Sequence, residues 1–152
     1  MSNTAIGPAL EGDGPVVVHE QDCPLERWDD PGRGGVTWRT LLSGDRTPTR
    51  DLTMGVAEIP PGESSDPGEH RHAQVEVYYI LSGEGSVVID GVSHPVRAGS
   101  AVYVPGDARH GVANTGVEVL RLLYVFAVDA FDQVEYRFEA GQSARENREP
   151  GP

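Results

Sequence analysis

The chain has 152 residues, a formal net charge of −12 and a single cysteine, Cys23. A strongly acidic protein repels nucleic acid and anionic membranes, so we expect neither as a partner. One cysteine excludes an intrachain disulfide, which fits a reducing compartment. All 12 basic residues are arginine, so Schiff-base chemistry on a lysine is excluded.

The longest apolar run, residues 122–128, is too short to span a bilayer, and no signal peptide is recognisable. These features predict a soluble cytoplasmic protein.

Turn residues divide the chain into short stretches rich in β-branched and aromatic side chains. The 19 glycines and 12 prolines favour a compact all-β barrel over a helical bundle. No stretch of ten or more residues has a convincing helical period, so we expect little helix. Residues 1–14 and 141–152 lack periodicity, which predicts disorder at both ends and one domain over residues 15–140. Strands are predicted, in chain order, at residues 16–18, 36–42, 52–59, 86–89, 92–96, 101–104, 119–128 and 134–138.

One hairpin and one long strand are the most specific of these predictions. Asp90-Gly91 stands between two apolar stretches and predicts a tight turn, because both residues accept positive φ angles. The run over residues 119–128 is nearly continuous in apolar side chains. It predicts the longest strand of the domain, buried on both faces.

The stretch that begins at residue 70 carries polar side chains where a core-facing strand is normally apolar. His70, His72, Gln74, Glu76 and Tyr78 are alternate residues, so in a β-strand all five would point to one face. Buried polar groups are costly unless they are paired or bound to metal. Imidazole nitrogen and carboxylate oxygen are common ligands of transition metals. The spacing therefore indicates a metal site, and a chance His-x-His pair on a surface strand is the alternative.

A third histidine strengthens the metal interpretation. His110 follows a Pro-Gly-Asp turn at residues 105–107 and stands at the start of another β-rich stretch. His19 and His94 lack any ligand spacing, and we expect both at the surface.

The two ligand-bearing stretches resemble the two sequence motifs of the cupin family. The first motif is His-x-His, three residues, Glu, six residues and Gly, and it matches His70, His72, Glu76 and Gly83. The second motif is Gly, five residues, Pro, four residues, His, three residues and Asn, and it matches Gly99, Pro105, His110 and Asn114. Two glycines of the family pattern are replaced, by Ser64 and Asp107. Neither replacement touches a ligand position.

The resemblance implies an antiparallel β-barrel of the jelly-roll type in which four residues converge on one divalent transition metal: His70, His72, Glu76 and His110. Iron, manganese, zinc, nickel and copper all suit these ligands, and availability in the cell favours iron or manganese. Three neutral imidazoles and one carboxylate leave a divalent ion with a net charge near +1. An octahedral ion would keep two positions open for water, oxygen or a chelating substrate.

Two residues on the ligand face are candidates for catalysis. Tyr78 should point inward beside the ion, where its phenol could act as a general acid or base. The alternative for Tyr78 is a core aromatic whose hydroxyl finds one partner. Gln74 could orient a bound water or substrate, or it could bind backbone at the barrel mouth. Tyr79 should face the opposite way, and Arg109 is either a group that binds an anionic substrate or a solvated rim residue.

Three classes of function remain open. In cupins that this chain resembles, the metal binds a chelating substrate and oxygen, and we slightly favour such an oxygenase. The alternative is a redox-neutral lyase, isomerase or cyclase with a Lewis-acid metal and Tyr78 for proton transfer. Cupin lyases that cleave dimethylsulfoniopropionate resemble the chain in having a tyrosine two residues after the glutamate. The third class is a non-enzymatic binding module for small molecules.

We also expect a homodimer, because open barrels leave edge strands that another chain can cover.

Overall fold

The computed structural model describes residues 14–29, 35–65 and 69–138, and this part of the chain is almost entirely β. Its strands are β1 (Glu26–Arg27), β2 (Thr37–Leu42), β3 (Thr53–Ile59), β4 (His70–Arg71), β5 (Glu76–Ser82), β6 (Glu84–Ile89), β7 (Val92–Arg97), β8 (Ala101–Val104), β9 (His110–Asn114), β10 (Leu120–Phe126) and β11 (Arg137–Phe138). Two short 3-10 turns are described, Glu20–Asp22 and Phe131–Gln133. The predicted all-β fold with little helix is confirmed.

The strands form two antiparallel sheets around one core. The six-stranded sheet has the order β1-β2-β3-β10-β5-β8, and the five-stranded sheet has the order β11-β4-β9-β6-β7. From β3 onward the chain changes sheet at every connection except the β6–β7 hairpin, which is the jelly-roll arrangement. Both sheets contribute to a single cluster of buried side chains that includes Tyr78, Ile80, Val87, Val112, Leu122 and Phe126.

Alternation along the central strands determines which side chains face the core. On β10 every second residue is buried and the residues between are half-buried, so the predicted burial on both faces is wrong. The physical reason is that the five-stranded sheet covers only the inner face of the six-stranded sheet. Strand β10 has seven residues and shares the greatest strand length in the described part of the chain with β3 and β5.

Turn chemistry explains the β6–β7 hairpin. Asp90 and Gly91 have φ angles of 47° and 81°, which are the two positive values that a tight hairpin of this type requires. Six residue pairs then align β6 with β7, from Glu84 opposite Arg97 to Ile89 opposite Val92. The Asp-Gly prediction therefore matches the structure.

Two of the differences from the predicted strands lie near the ends of the chain. Residues 16–18 form no strand, and the predicted strand at residues 134–138 is reduced to Arg137–Phe138 after a 3-10 turn. The predicted disordered ends, residues 1–14 and 141–152, lie outside the described residues apart from Gly14. Among the described residues, no helix is long and apolar enough to cross a bilayer.

Candidate metal centre

The first motif is divided between the two sheets. His70 lies on β4 of the five-stranded sheet, Glu76 begins β5 of the six-stranded sheet, and His72 lies in the connection between them. The prediction that these three residues share one strand is therefore wrong. The backbone N–H of Asp107 donates to the carbonyl of His72 at 2.8 Å, so the turn of the second motif holds this crossing in place.

A glycine in the second motif makes this contact between the two motifs possible. A Cβ atom at Gly106 would lie 2.5 Å from the carbonyl oxygen of Ala73, which is closer than real Cβ atoms approach. The next residue, Asp107, has a φ angle of 63°. The Pro-Gly-Asp turn can therefore pack directly against the crossing chain, and this contact positions His72.

The four predicted ligands lie together in the interior. Their ligand atoms are all within 4.8 Å of one another, and each of the four side chains is 1% exposed or less. His110 is the first residue of β9 and lies directly opposite His70 of β4. The ring centroids of His110 and His70 are 4.3 Å apart. The fold thus collects three imidazoles and one carboxylate at a single point inside the protein.

Backbone carbonyls determine how two of the imidazoles are oriented. Nδ1 of His72 lies 3.0 Å from the carbonyl of Gln74, and Nδ1 of His110 lies 2.9 Å from the carbonyl of Ala108. A carbonyl only accepts hydrogen bonds, so each Nδ1 must carry a proton and donate it. In the neutral ring, Nε2 then presents its lone pair to the centre of the cluster. Such a carbonyl partner on the outer nitrogen is typical of histidines that bind metals.

The distances around Glu76 suit a divalent ion. Oε2 of Glu76 lies 3.0 Å from Nε2 of His72 and 3.0 Å from Nε2 of His110. Neighbouring ligands at right angles, each about 2.1 Å from one ion, are about 3.0 Å apart. Without a metal ion, these two nitrogens can donate to the carboxylate only if each imidazole ring carries a second proton, on Nε2. The arrangement of these three atoms, one oxygen and two nitrogens, therefore fits either two shared protons or one metal ion.

The charge state of Glu76 is favourable for metal binding. Burial by itself raises the pKa of Glu76, but the hydrogen bonds with His110 and His72 outweigh burial and lower the pKa to about 2. Glu76 therefore stays ionised at neutral pH. Its second oxygen, Oε1, is buried and accepts no hydrogen bond from the described residues. A buried carboxylate oxygen without a donor is unfavourable, and a cation in the cluster would satisfy it.

The two catalytic candidates differ in their surroundings. Tyr78 is buried on the inner face of β5, with its ring centroid 6.3 Å from that of His110, whereas Tyr79 faces outward and is 44% exposed. The side-chain amide of Gln74 donates to the carbonyl of Gln133 at 3.5 Å. Gln74 thus binds backbone of the neighbouring 3-10 turn, which is one of the two roles expected for it.

The structure adds aromatic residues that sequence reasoning missed. The ring of Tyr136 lies 4.9 Å from that of His70 and 5.4 Å from that of His72. The ring of Phe126 lies 5.1 Å from that of His72, and Phe131 packs on Phe126 at 5.6 Å. Neither motif contains these residues. The only signal for Tyr136 was its place in a β-rich stretch near the end of the chain, and that pattern does not indicate the metal centre.

Other candidates lie away from the centre. The Arg109 side chain is exposed, and its Nε is 3.8 Å from Oε2 of Glu69, at the surface. His19 and His94 are also exposed, as their lack of ligand spacing suggested. None of these three residues belongs to the buried cluster.

A buried cluster of three histidines and one carboxylate, enclosed by two antiparallel sheets, is the kind of site that can hold one catalytic metal ion in a small β-barrel protein. Comparison with known proteins agrees with this class. Residues 55–126 match the model of the cupin domain. The chain belongs to the cupin family, as the two motifs predicted.

Three known proteins show how this chain relates to the family. Dimethylsulfoniopropionate lyase DddW of Ruegeria pomeroyi is 46% identical over 126 residues, which cover 83% of this chain and 81% of the lyase. The oxalate-binding protein of Thermotoga maritima is 34% identical over 118 residues, which cover 76% of this chain and 95% of that protein. The polyketide cyclase RemF from Streptomyces resistomycificus has the same fold, with a TM-score of 0.68 over 86% of this chain and 89% of its own, at 23% identity.

Proposed function

We propose that this protein is a metal-dependent lyase that cleaves dimethylsulfoniopropionate into dimethyl sulfide and acrylate. The observation that carries the proposal is the complete buried cluster of His70, His72, Glu76 and His110, with Tyr78 beside it, in a chain 46% identical to a lyase of this name. Between the two enzyme classes that the sequence left open, this similarity favours the redox-neutral one over an oxygenase.

The proposed reaction is an elimination that needs no electron acceptor. A base removes a proton from the carbon next to the carboxylate, and the electron pair of that C–H bond forms the C=C bond of acrylate. The C–S bond breaks, and its electron pair leaves on sulfur as neutral dimethyl sulfide. The difficult step is removal of a weakly acidic proton. A site for this reaction therefore needs a positioned base and a positive centre near the substrate carboxylate.

A metal ion held by the four ligands would supply that positive centre as a Lewis acid, and we propose iron or manganese in the cell. We assign the base to Tyr78, whose phenolate oxygen would accept the proton from the substrate and become a neutral phenol. Tyr78 is buried on the ligand side of β5, two residues after Glu76. Its cross-strand partner on β10 is Tyr124, which is also buried, so packing holds the Tyr78 ring in place.

The aromatic residues beside the cluster suit the other end of this substrate. A sulfonium group is a weakly hydrated cation, and aromatic faces attract such cations. Tyr136 and Phe126 both lie within 5.4 Å of the His72 ring, measured between ring centroids. A substrate whose carboxylate approaches the ligands would have its sulfonium group close to these rings. The composition of the site thus fits a small molecule that carries both a carboxylate and an onium group.

The test is a direct assay of purified protein. Protein loaded separately with Fe²⁺, Mn²⁺ or Zn²⁺ is incubated with dimethylsulfoniopropionate, and dimethyl sulfide and acrylate are measured together with oxygen uptake. We expect equal amounts of the two products and no oxygen uptake. Tyr78→Phe should lower kcat by about 100-fold or more while metal content stays the same, because a general base contributes about 10²–10⁴-fold.

The neighbouring tyrosine provides a matched control. Tyr79→Phe removes the same hydroxyl from the outward face of the same strand, and this variant should keep full activity. Metal-loaded protein that forms no dimethyl sulfide at millimolar substrate would contradict the proposed function. Equal losses in Tyr78→Phe and Tyr79→Phe would contradict the role of Tyr78 alone.

A carboxylate-binding module is the second candidate. Similarity to the oxalate-binding protein of Thermotoga maritima, 34% identical along 95% of that protein, favours it. Such a module would bind oxalate through the metal and release it unchanged. Calorimetric titration with oxalate, together with the product assay, separates the two candidates: micromolar oxalate binding without dimethyl sulfide formation supports the binding module.

A further inference from the structure

The candidate metal centre is closed to solvent. All four ligand side chains are 1% exposed or less. A metal ion or a small substrate can reach them only if some part of the surrounding protein moves.

One covering segment comes from the end of the described chain. We name residues 127–138, which follow β10 and end with β11, the C-terminal strap. Four of its residues are buried, namely Ala130, Phe131, Val134 and Tyr136, and the Phe131 ring packs on Phe126 beside the centre. The Tyr136 ring contacts the imidazole rings of His70 and His72. The strap therefore forms one wall of the metal centre.

The first half of the strap is firmly held by the loop and strand at residues 43–53. Backbone N–H groups of Gly44 and Asp51 donate to the carbonyl and the carboxylate of Asp129, both at 2.7 Å. The hydroxyl of Thr53 donates to the carbonyl of Val128 at 3.0 Å. The N–H of Phe131 donates to the hydroxyl of Ser43 at 2.9 Å. These four hydrogen bonds hold residues 128–131 in place.

The second half of the strap is held less firmly. Within the described part of the chain, its pairing with the sheet consists of two facing pairs, Arg137 opposite Arg71 and Phe138 opposite His70. Like charges directly opposite each other destabilise an antiparallel pair, and both arginine side chains are exposed. The contact from Gln74 to Gln133 is long, at 3.5 Å. The two facing arginines therefore weaken the pairing of β11 with β4, next to the metal ligand His70.

We propose that the C-terminal strap is the gate of the metal centre. Residues 128–131 stay anchored while residues 132–138 separate from β4, which moves Tyr136 away from His70 and His72 and admits small molecules and ions. The inference concerns access to the site of the proposed function. It holds for any small ligand of this centre, so it can be tested without turnover.

A reversible disulfide between β11 and β4 tests the gate. Residues that face each other in an antiparallel ladder have Cα atoms about 4.5–5.5 Å apart, which suits a disulfide. Arg71→Cys with Arg137→Cys, in a Cys23→Ser background, would join the strap to β4 when oxidised. The matched control joins Glu84→Cys to Arg97→Cys, an exposed facing pair of the β6–β7 hairpin. Mass spectrometry confirms that each disulfide has formed.

Access is measured in metal-free protein as the rate at which diethyl pyrocarbonate modifies each histidine. We expect oxidation of the strap disulfide to slow modification of His70 and His72 at least about tenfold and a reductant to restore it. Exposed His94 is the internal reference and should react at one rate throughout. The hairpin disulfide should change none of these rates. Equal rates for His70 and His72 in the oxidised and reduced strap variant would overturn the gate.

A charge variant gives the same information if the disulfide variant fails to fold. Arg71→Glu replaces the facing arginines by an opposite-charge pair and should slow modification of His70 and His72, whereas no slowing would count against the gate. Release of Zn²⁺ to an excess of a chromogenic chelator is the second readout, and it should slow in the oxidised strap variant. Failure to bind Zn²⁺ would overturn the metal centre, whereas the histidine modification rates would still decide the gate.

Discussion

His110 of β9 lies directly opposite His70 of β4, and the centroids of the two imidazole rings are 4.3 Å apart. The pairing of these two strands is therefore what joins the two sequence motifs into one cluster. Because the register places the two residues face to face, both rings reach the cluster, whose ligand atoms all lie within 4.8 Å of one another. The cluster should consequently depend on His110 as much as on the first motif.

Replacement of His110 should weaken metal binding strongly. His110→Ala removes one of four ligands, and we expect metal affinity to fall at least about tenfold, since changes beyond the ligands themselves already cost about 10–100-fold. Metal content after dialysis, together with titration calorimetry, measures the effect. His94→Ala is the control, because His94 is exposed on β7. Full metal in His110→Ala combined with loss in His94→Ala would show that the fourth ligand is misassigned.

Metal binding should weaken as pH falls through about 6. The histidines bind an ion only through an unprotonated nitrogen, and a free imidazole takes up a proton near pH 6.5. Glu76 does not contribute in this range, because its pKa is lowered to about 2 and it stays charged. Metal content measured after equilibration from pH 8 to pH 4 should show the loss. A protein that keeps all its metal at pH 4 would contradict binding through three histidines.

Glu76 should also affect acid stability. Its pKa in the folded protein, about 2, is below the ordinary value of 4.5, so the charged form is favoured by folding. The stability that this provides is fully present above pH 4.5 and is lost as pH falls toward 2. In metal-free protein, the difference in unfolding free energy between wild type and Glu76→Gln should therefore shrink over this interval. Urea titrations at pH 6, 4 and 3 measure it, and a difference that grows at low pH would refute the assignment.

Gly55 should be intolerant of any side chain. A Cβ atom at residue 55 would collide with the phenol of Tyr124 and would lie 2.7 Å from the carbonyl oxygen of Arg39. Since the Tyr124 ring is fully buried, it has little room to move aside. Gly55→Ala should destabilise the fold by about 1–3 kcal/mol. Gly116→Ala, where the nearest atom lies 3.4 Å away, is the control in the same urea titrations and should stay near wild type.

The outer face of the six-stranded sheet should mediate the predicted homodimer. Tyr103 is 62% exposed, Tyr79 and Val77 beside it are also exposed, and the three lie on neighbouring strands β5 and β8. Aromatic residues are enriched in interfaces between proteins. Light scattering at micromolar concentration should give the dimer mass for wild type and the monomer mass for Tyr103→Asp. Val92→Asp, at an exposed valine on β7, should remain dimeric, and a monomeric wild type would rule out the dimer.

The sequence by itself determined the composition of the candidate metal centre. His70, His72, Glu76 and His110 stand at fixed spacings within two short motifs, and such local spacings can be recognised without knowing the fold. The Asp90-Gly91 turn was predictable for the same reason, because its positive φ angles depend on two adjacent residues. The all-β fold followed from the density of turn residues, which limits the length of every element.

Only the tertiary structure decided how the centre is assembled and enclosed. The chain changes sheet between His70 and Glu76, and the Pro-Gly-Asp turn packs on this crossing through contacts between residues distant in sequence. Tyr136 reaches the ligands for a similar reason, since β11 pairs with β4 beside His70. Alternation and turn signals describe neighbours along the chain. Contacts between distant segments depend on how two complete sheets bury their inner faces together, and no local pattern contains that information.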